Sequence, residues 1–224
     1  MIKYLVSTIL LLAMVSPVAA FDEHKDPMSQ VKDMQSRWAK VNYNKKMKKR
    51  SKVFEQLVDQ ADEYAEHNSE SAEVLIWAGI INSTYAGEVT FTGMKYAKKA
   101  KKYLEKSLSI DSTALSGAAY TSLGTLYFKV PGGFIGFGDD EKANELLNKG
   151  LEINPNGIVS NYFYADYLYE EKKYAKSKKY LDKALEAPAR PERPIADKGR
   201  KGDIMTLMAK VNKKLKKKRS SLNQ

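Results

Sequence analysis

The chain has 224 residues, with 38 Lys and Arg against 27 Asp and Glu, a net charge of +11, and no cysteine. Without cysteine there is no disulfide, no thiolate metal site, no cysteine nucleophile and no lipid anchor on a cysteine behind a signal sequence. Such a chain must stand on its hydrophobic core, and about 200 residues suffice for one.

Met1-Ile2-Lys3, the apolar run from Tyr4 to Val15 and Ser16-Pro17-Val18-Ala19-Ala20 form the three regions of a secretory signal peptide. The run is shorter than the ~20 apolar residues of a membrane-spanning helix. Residues 1–20 are expected to be removed near Ala20, giving a periplasmic protein that starts at Phe21 and is not a lipoprotein. Loss of Lys3 leaves +10. The remaining charge is uneven, with six basic residues in 45–52, six in 213–219 and an acidic stretch in 55–70. An exported chain rarely meets nucleic acid, so none is expected. Anionic lipid headgroups or an acidic protein suit the charge better, and lysines scattered on helices also serve simple solvation.

Residues 21–70 read as a helix pair acting as an N-terminal cap, with Trp38 near the middle of its first helix. Residues 71–187 read as three tetratricopeptide-like repeats. Leu104-Glu105-Lys106-Ser107-Leu108-Ser109 is echoed by Leu147-Asn148-Lys149-Gly150-Leu151-Glu152 and by Leu181-Asp182-Lys183-Ala184-Leu185-Glu186. The last two are 34 residues apart, the tetratricopeptide period. Ahead of the second stands Tyr120-x-x-Leu123-Gly124-x-x-Tyr127, an aromatic-Leu-Gly-Tyr face at i, i+3, i+4 and i+7. The first repeat offers Leu75, Ala78, Gly79 and Asn82, then Ala100, Leu104 and Ser107, with a stretched connection from Gly87 to Gly93. The third offers Asn161, Tyr164, Ala165 and Leu168, then Tyr174, Ser177, Leu181 and Ala184. Residues 188–224 read as a Pro-rich bridge, a capping amphipathic helix of about 20 residues and a basic tail. The expected class is all-α, a right-handed tetratricopeptide solenoid of helix pairs capped by helices at both ends.

The second repeat carries a Gly-rich insertion at 129–138. Its four Gly and one Pro break the helix, and Asp139 or Asp140 can cap the next. Phe134, Ile135 and Phe137 either pack on neighbouring helices or line a binding surface. One step round from the packing faces, the first helices present Ile76, Ile80 and Ser83; Thr121, Thr125 and Phe128; and Tyr162, Asp166 and Tyr169. Each trio is spaced i, i+4, i+7 and can face a common groove. The candidate groove for a protein, peptide or small ligand is therefore Ile76, Ile80, Thr121, Thr125, Phe128, Phe134, Phe137, Tyr162, Asp166 and Tyr169. Lys98, Lys99, Lys101, Lys102, Lys176, Lys178 and Lys179 fall on second helices, which predicts a basic convex side.

Two histidines are present, His24 and His67, neither with a ligand-spaced partner, and no catalytic or nucleotide-binding motif occurs. No cofactor, no metal and no enzymatic activity are expected.

Three segments resemble a known family: Pro131-Gly132-Gly133 followed by Asp139-x-x-Lys142-Ala143, the Asn154-Pro155-Asn156 boundary, and Arg193-Pro194…Asp197-x-x-Arg200. They are similar to the periplasmic tetratricopeptide T-component proteins of TRAP transporters, over roughly residues 28–215. That resemblance implies a helical, oligomeric protein with a pore or cavity, working beside a periplasmic solute-binding protein. Members are often lipoproteins, which this chain without cysteine is not. The expected function is a non-catalytic periplasmic adaptor; the alternative is an envelope scaffold docking through basic surfaces to anionic lipid or an acidic partner.

Overall fold

The computed structural model describes residues 26–222. The expected signal peptide, the start at Phe21 and His24 lie outside them. Among the described residues there are nine helices and no strand. They are α1 (Pro27–Tyr43), α2 (Arg50–His67), α3 (Ala72–Ala86), α4 (Gly93–Ile110), α5 (Ala114–Lys129), α6 (Asp140–Ile153), α7 (Ile158–Glu170), α8 (Tyr174–Glu186) and α9 (Pro194–Leu222). No helix among them is long and apolar enough to cross a membrane.

Local chemistry sets several helix starts. Asp26 accepts from the Ser29 backbone N–H at 3.2 Å, with Pro27 preset for the first helical turn. Ser71 caps α3 through the Val74 N–H, and Asp139 caps α6 through the Lys142 N–H at 2.9 Å. Asp140 and Glu141 then sit in the first turn of α6, where the helix dipole favours carboxylates. The first turn of α5 is irregular: Leu115, Ser116 and Gly117 are left-handed, with φ of 47°, 57° and 71°. Gly117 carries no side chain where Ile153 presses against it.

The helices pack in sequential pairs, and each pair packs on the next through both of its helices. This is a tetratricopeptide-repeat solenoid. The seams within pairs explain the repeated hexads. A Cβ on Gly79 would stand 2.7 Å from Leu104 Cγ, and one on Gly124 would stand 2.8 Å from Leu147 Cγ. Ala165 holds the matching place in the third repeat, fully buried, and its carbonyl accepts from the Ser177 hydroxyl at 2.8 Å. Leu104, Leu147 and Leu181 are all buried, as are Ser107, Gly150 and Ala184 one turn on. Small residues on one side let the large leucines on the other fill the space, and truncating any of these leucines costs about 2–5 kcal/mol.

Three apolar clusters follow one another along the stack. Trp38, Phe54 and Trp77 anchor the first, Leu104, Leu123 and Leu147 the second, and Leu181, Ile204 and Val211 the third. The last helix differs from expectation. α9 is 29 residues long and includes the basic segment 213–219. No Gly or Pro follows Gly202, and lysine and arginine are good helix formers, so nothing stops it. Its first two turns reach α1 as well as α7.

Candidate functional site

The first helices of the pairs line the inner face of the solenoid, where a groove is expected. Much of that face is covered by the chain itself. The segment between α8 and α9 crosses it and is folded against the first turn of α9 by a half-buried ion pair. The Arg190 backbone N–H donates to one Asp197 carboxylate oxygen and its Nε to the other, each at 2.8 Å. Ala196 enters the N-terminal cluster beside Trp38 and Trp77.

Two arginines then settle on aromatic faces. The Arg193 guanidinium lies 4.9 Å from the centre of Trp77, and that of Arg200 lies 4.5 and 4.7 Å from Tyr162 and Phe163. The Nε of each is buried without a hydrogen-bond partner among the described residues; the ring faces attract both guanidinium groups, and Arg200 Nη1 also donates to Asp203 at 3.2 Å. Burial lowers the Arg193 guanidinium to about 10, and the neighbouring Arg190 charge acts in the same direction. Burial pushes the Tyr162 hydroxyl up to about 12, against the pull of Arg200. Tyr43, at the end of α1, packs its ring on Gly199 and donates its hydroxyl to Asp203 at 3.3 Å. A side chain at position 199 would collide with that ring. The start of α9 thus straps α7 to α1 and α3.

The predicted groove residues divide accordingly. Ile76 and Thr121 are buried, which corrects their expected exposure. Each repeat packs on two neighbours, so one step round from the seam is still interior. Ile76 faces the middle cluster, and Thr121 backs onto Gly150 of α6. Ile80 is half-buried between the first and second clusters. Tyr162 lies under Arg200, and Tyr169 tilts against Tyr174 in the third cluster. Both are half-buried and pack on the third cluster. Thr125, Phe128 and Asp166 remain half-buried on the part of the inner face beyond the strap. Phe128 meets Tyr167 edge-on at 5.7 Å. The Lys129 ammonium sits 4.6 Å over the Phe128 ring and 2.9 Å from the Asp166 carboxylate.

The insertion separates its three apolar residues. Phe137 is half-buried, edge-on to Tyr127 at 5.6 Å, with Lys101 over its ring. Phe134 is fully exposed and Ile135 is 75% exposed. On the connection between α3 and α4, Phe91 is 98% exposed as well. Sequence reading missed Phe91, Trp77, Arg193 and Arg200. The arginines stood within the closing segment, but no local pattern reveals the contact of Arg193 with a helix more than a hundred residues away, or that of Arg200 with α7.

The expected basic convex side is partly neutralised, since Lys99 pairs with Asp62, Lys101 with Glu105 and Lys178 with Asp182. His67 ends α2 with its ring nitrogen 2.8 Å from the Glu63 carbonyl. Among the described residues no group of three or more His, Asp or Glu is placed to hold a metal ion.

No protein-family model matches the chain, and no curated protein matches it. Among solved structures the chain is similar to MamA, at 18% identity over 77% of this chain and 95% of that one, with a TM-score of 0.44. It is also similar to PilF of Pseudomonas aeruginosa, at 15% identity over 86% of this chain and 93% of that one, with a TM-score of 0.35. The fold assignment rests on the helix packing itself.

Proposed function

We propose that the protein is an exported, non-catalytic interaction scaffold that binds a protein partner on the unstrapped part of its inner face. The observation that carries this reading is the Phe128, Lys129 and Asp166 cluster. It offers an aromatic face, a cation and a carboxylate in a fixed arrangement, beside the half-buried Thr125. A tetratricopeptide stack presents such a surface already ordered, because the strap and seams hold α5 and α7 in place before any partner arrives. Binding therefore costs little ordering of the scaffold. The signal-like start supports work in the periplasm. The segments similar to TRAP T-component proteins point to a periplasmic solute-binding protein as the partner. The uptake role belongs to this proposal alone.

Crosslinking through lysine in a periplasmic extract, followed by mass spectrometry, tests it. The native chain should be joined through Lys129 to a defined protein. Thr125→Arg, placed one turn before Lys129, should reduce that yield about tenfold at unchanged helicity. Equal yield from both chains, or no partner joined to Lys129, would overturn the reading.

A further inference from the structure

The insertion at 129–138 is closed on itself. The Gly138 N–H donates to the Pro131 carbonyl at 3.0 Å, and the Asp139 N–H donates to the Tyr127 carbonyl at 2.9 Å. Gly136 lies so close to α4 that a Cβ on it would stand 2.9 Å from Met94 Cε. Phe137 clamps the foot of the loop between Tyr127 and Lys101. Hydrogen bonds and tight glycine packing thus support a tip that holds Phe134 and Ile135 in water. Met94, touching this loop, stands three residues after the exposed Phe91. The two connections therefore share one edge of the solenoid and put three large apolar side chains on it. A loop built only to join two helices has no reason to fix phenylalanine and isoleucine outward, since exposed apolar patches mark docking surfaces.

The charge beside this edge says what it meets. α4 carries six lysines and one carboxylate, Glu105. Lys98 and Lys102 have no ion pair among the described residues, and together with Lys101, Glu105 and the Phe137 ring they line a shallow depression of about 290 Å³ at the foot of the loop. On the other side stand Asp139, which caps α6, and Asp140 and Glu141 in its first turn, next to Lys142. Separate apolar points above a lysine-lined hollow match a layer of acyl chains beneath anionic headgroups. A protein partner with one apolar pocket would accept one tip and leave the other in water.

We propose that this edge docks the protein on an anionic phospholipid surface, with Phe134, Ile135 and Phe91 entering the interfacial layer and Lys98 and Lys102 meeting headgroup phosphates. The residues that meet lipid are other than Phe128, Lys129 and Asp166, so the proposal does not depend on the protein-partner reading. The edge is also distinct from the basic end of α9.

Co-sedimentation of the full chain with phosphatidylethanolamine–phosphatidylglycerol vesicles tests this, with phosphatidylcholine vesicles as reference. Binding to the anionic vesicles should weaken about tenfold or more in Phe134→Ser with Ile135→Ser. It should weaken several-fold in Lys98→Glu with Lys102→Glu, which should also flatten the salt dependence. Phe134→Trp should shift its emission to the blue on adding the anionic vesicles only. Failure of the native chain to bind anionic vesicles would overturn the proposal. So would full binding by the serine variant, or binding lost only when 213–224 is removed. Sedimentation velocity covers a protein partner: if the serine variant dissolves an oligomer of the native chain without changing vesicle binding, the edge is a self-association surface and the lipid proposal falls.

Discussion

The bridge at 188–197 and the insertion at 129–138 are both proline-bearing interruptions of the repeat, yet they end in opposite surroundings. The bridge folds inward. Its Asp197 is buried against Arg190, and Arg193 covers Trp77. The insertion folds onto its own backbone and leaves Phe134 in water. The difference lies in what each can reach. The bridge passes across a concave face lined with Trp77, Tyr162 and Phe163, where flat rings accept guanidinium groups and exclude water. The insertion leaves from the rim, where only Phe137 finds a ring to pack on. One segment of the chain is therefore spent on closing the fold, and the other is left available for contact.

That contrast can be broken from either side. Asp197→Ala should have the largest effect, about 3 kcal/mol of stability read from urea unfolding. It removes the partner of a largely buried guanidinium and leaves the Arg190 backbone N–H without its acceptor. Trypsin should then cut after Lys198 and Arg200, at the start of α9, faster than elsewhere in the chain. Unchanged stability would mean the strap is not held by this pair.

A smaller effect concerns the connection that carries Phe91. Its start is held by Glu88, which accepts from Arg50 Nη1 at 2.6 Å and from Lys45 at 3.0 Å. The hydrogen bond from Arg50 is the main reason that the Glu88 carboxyl is lowered from 4.5 to about 2. The folded value is below the unfolded one, so the carboxylate adds stability above about pH 4.5. That contribution is lost as the pH falls through about 2. Discounted for the exposure of the pair, Glu88→Gln should cost about 1 kcal/mol at neutral pH. It should also flatten the acid limb of the stability curve between those values. A native acid limb identical to that of the variant would show that the tie contributes nothing. The smallest expected effect is on the rim itself. Phe134→Ser with Ile135→Ser should leave the urea midpoint unchanged, because neither side chain is packed in the fold. A clear drop would place the loop tip within the structure that stabilises the protein.

The seams were legible because they repeat. Leu104, Leu147 and Leu181 recur with small residues three places on, and Gly79 and Gly124 mark where a second helix must come close. A period of 34 residues with these spacings specifies neighbours that are near in sequence, so the pattern carries the packing. The groove was legible only in part. Ile76 and Thr121 sit one step from the seam, as Thr125 and Phe128 do, and a helical wheel gives them equal standing. Their burial depends on how deeply the next repeat overlaps the last, which spacing along one helix does not encode. Tyr162 shows the same limit from the other direction, since its cover arrives from Arg200.

By itself the sequence determined the all-helical class, the helix pairs, their seams and the break at 129–138. Each of these follows from local propensity and short-range periodicity. Only the tertiary structure decided that α9 turns back across the inner face, that Arg193 and Arg200 find their rings there, and that the tip of the insertion stays outside. Those outcomes are contacts between residues far apart in the chain, selected by which surfaces the finished stack leaves uncovered.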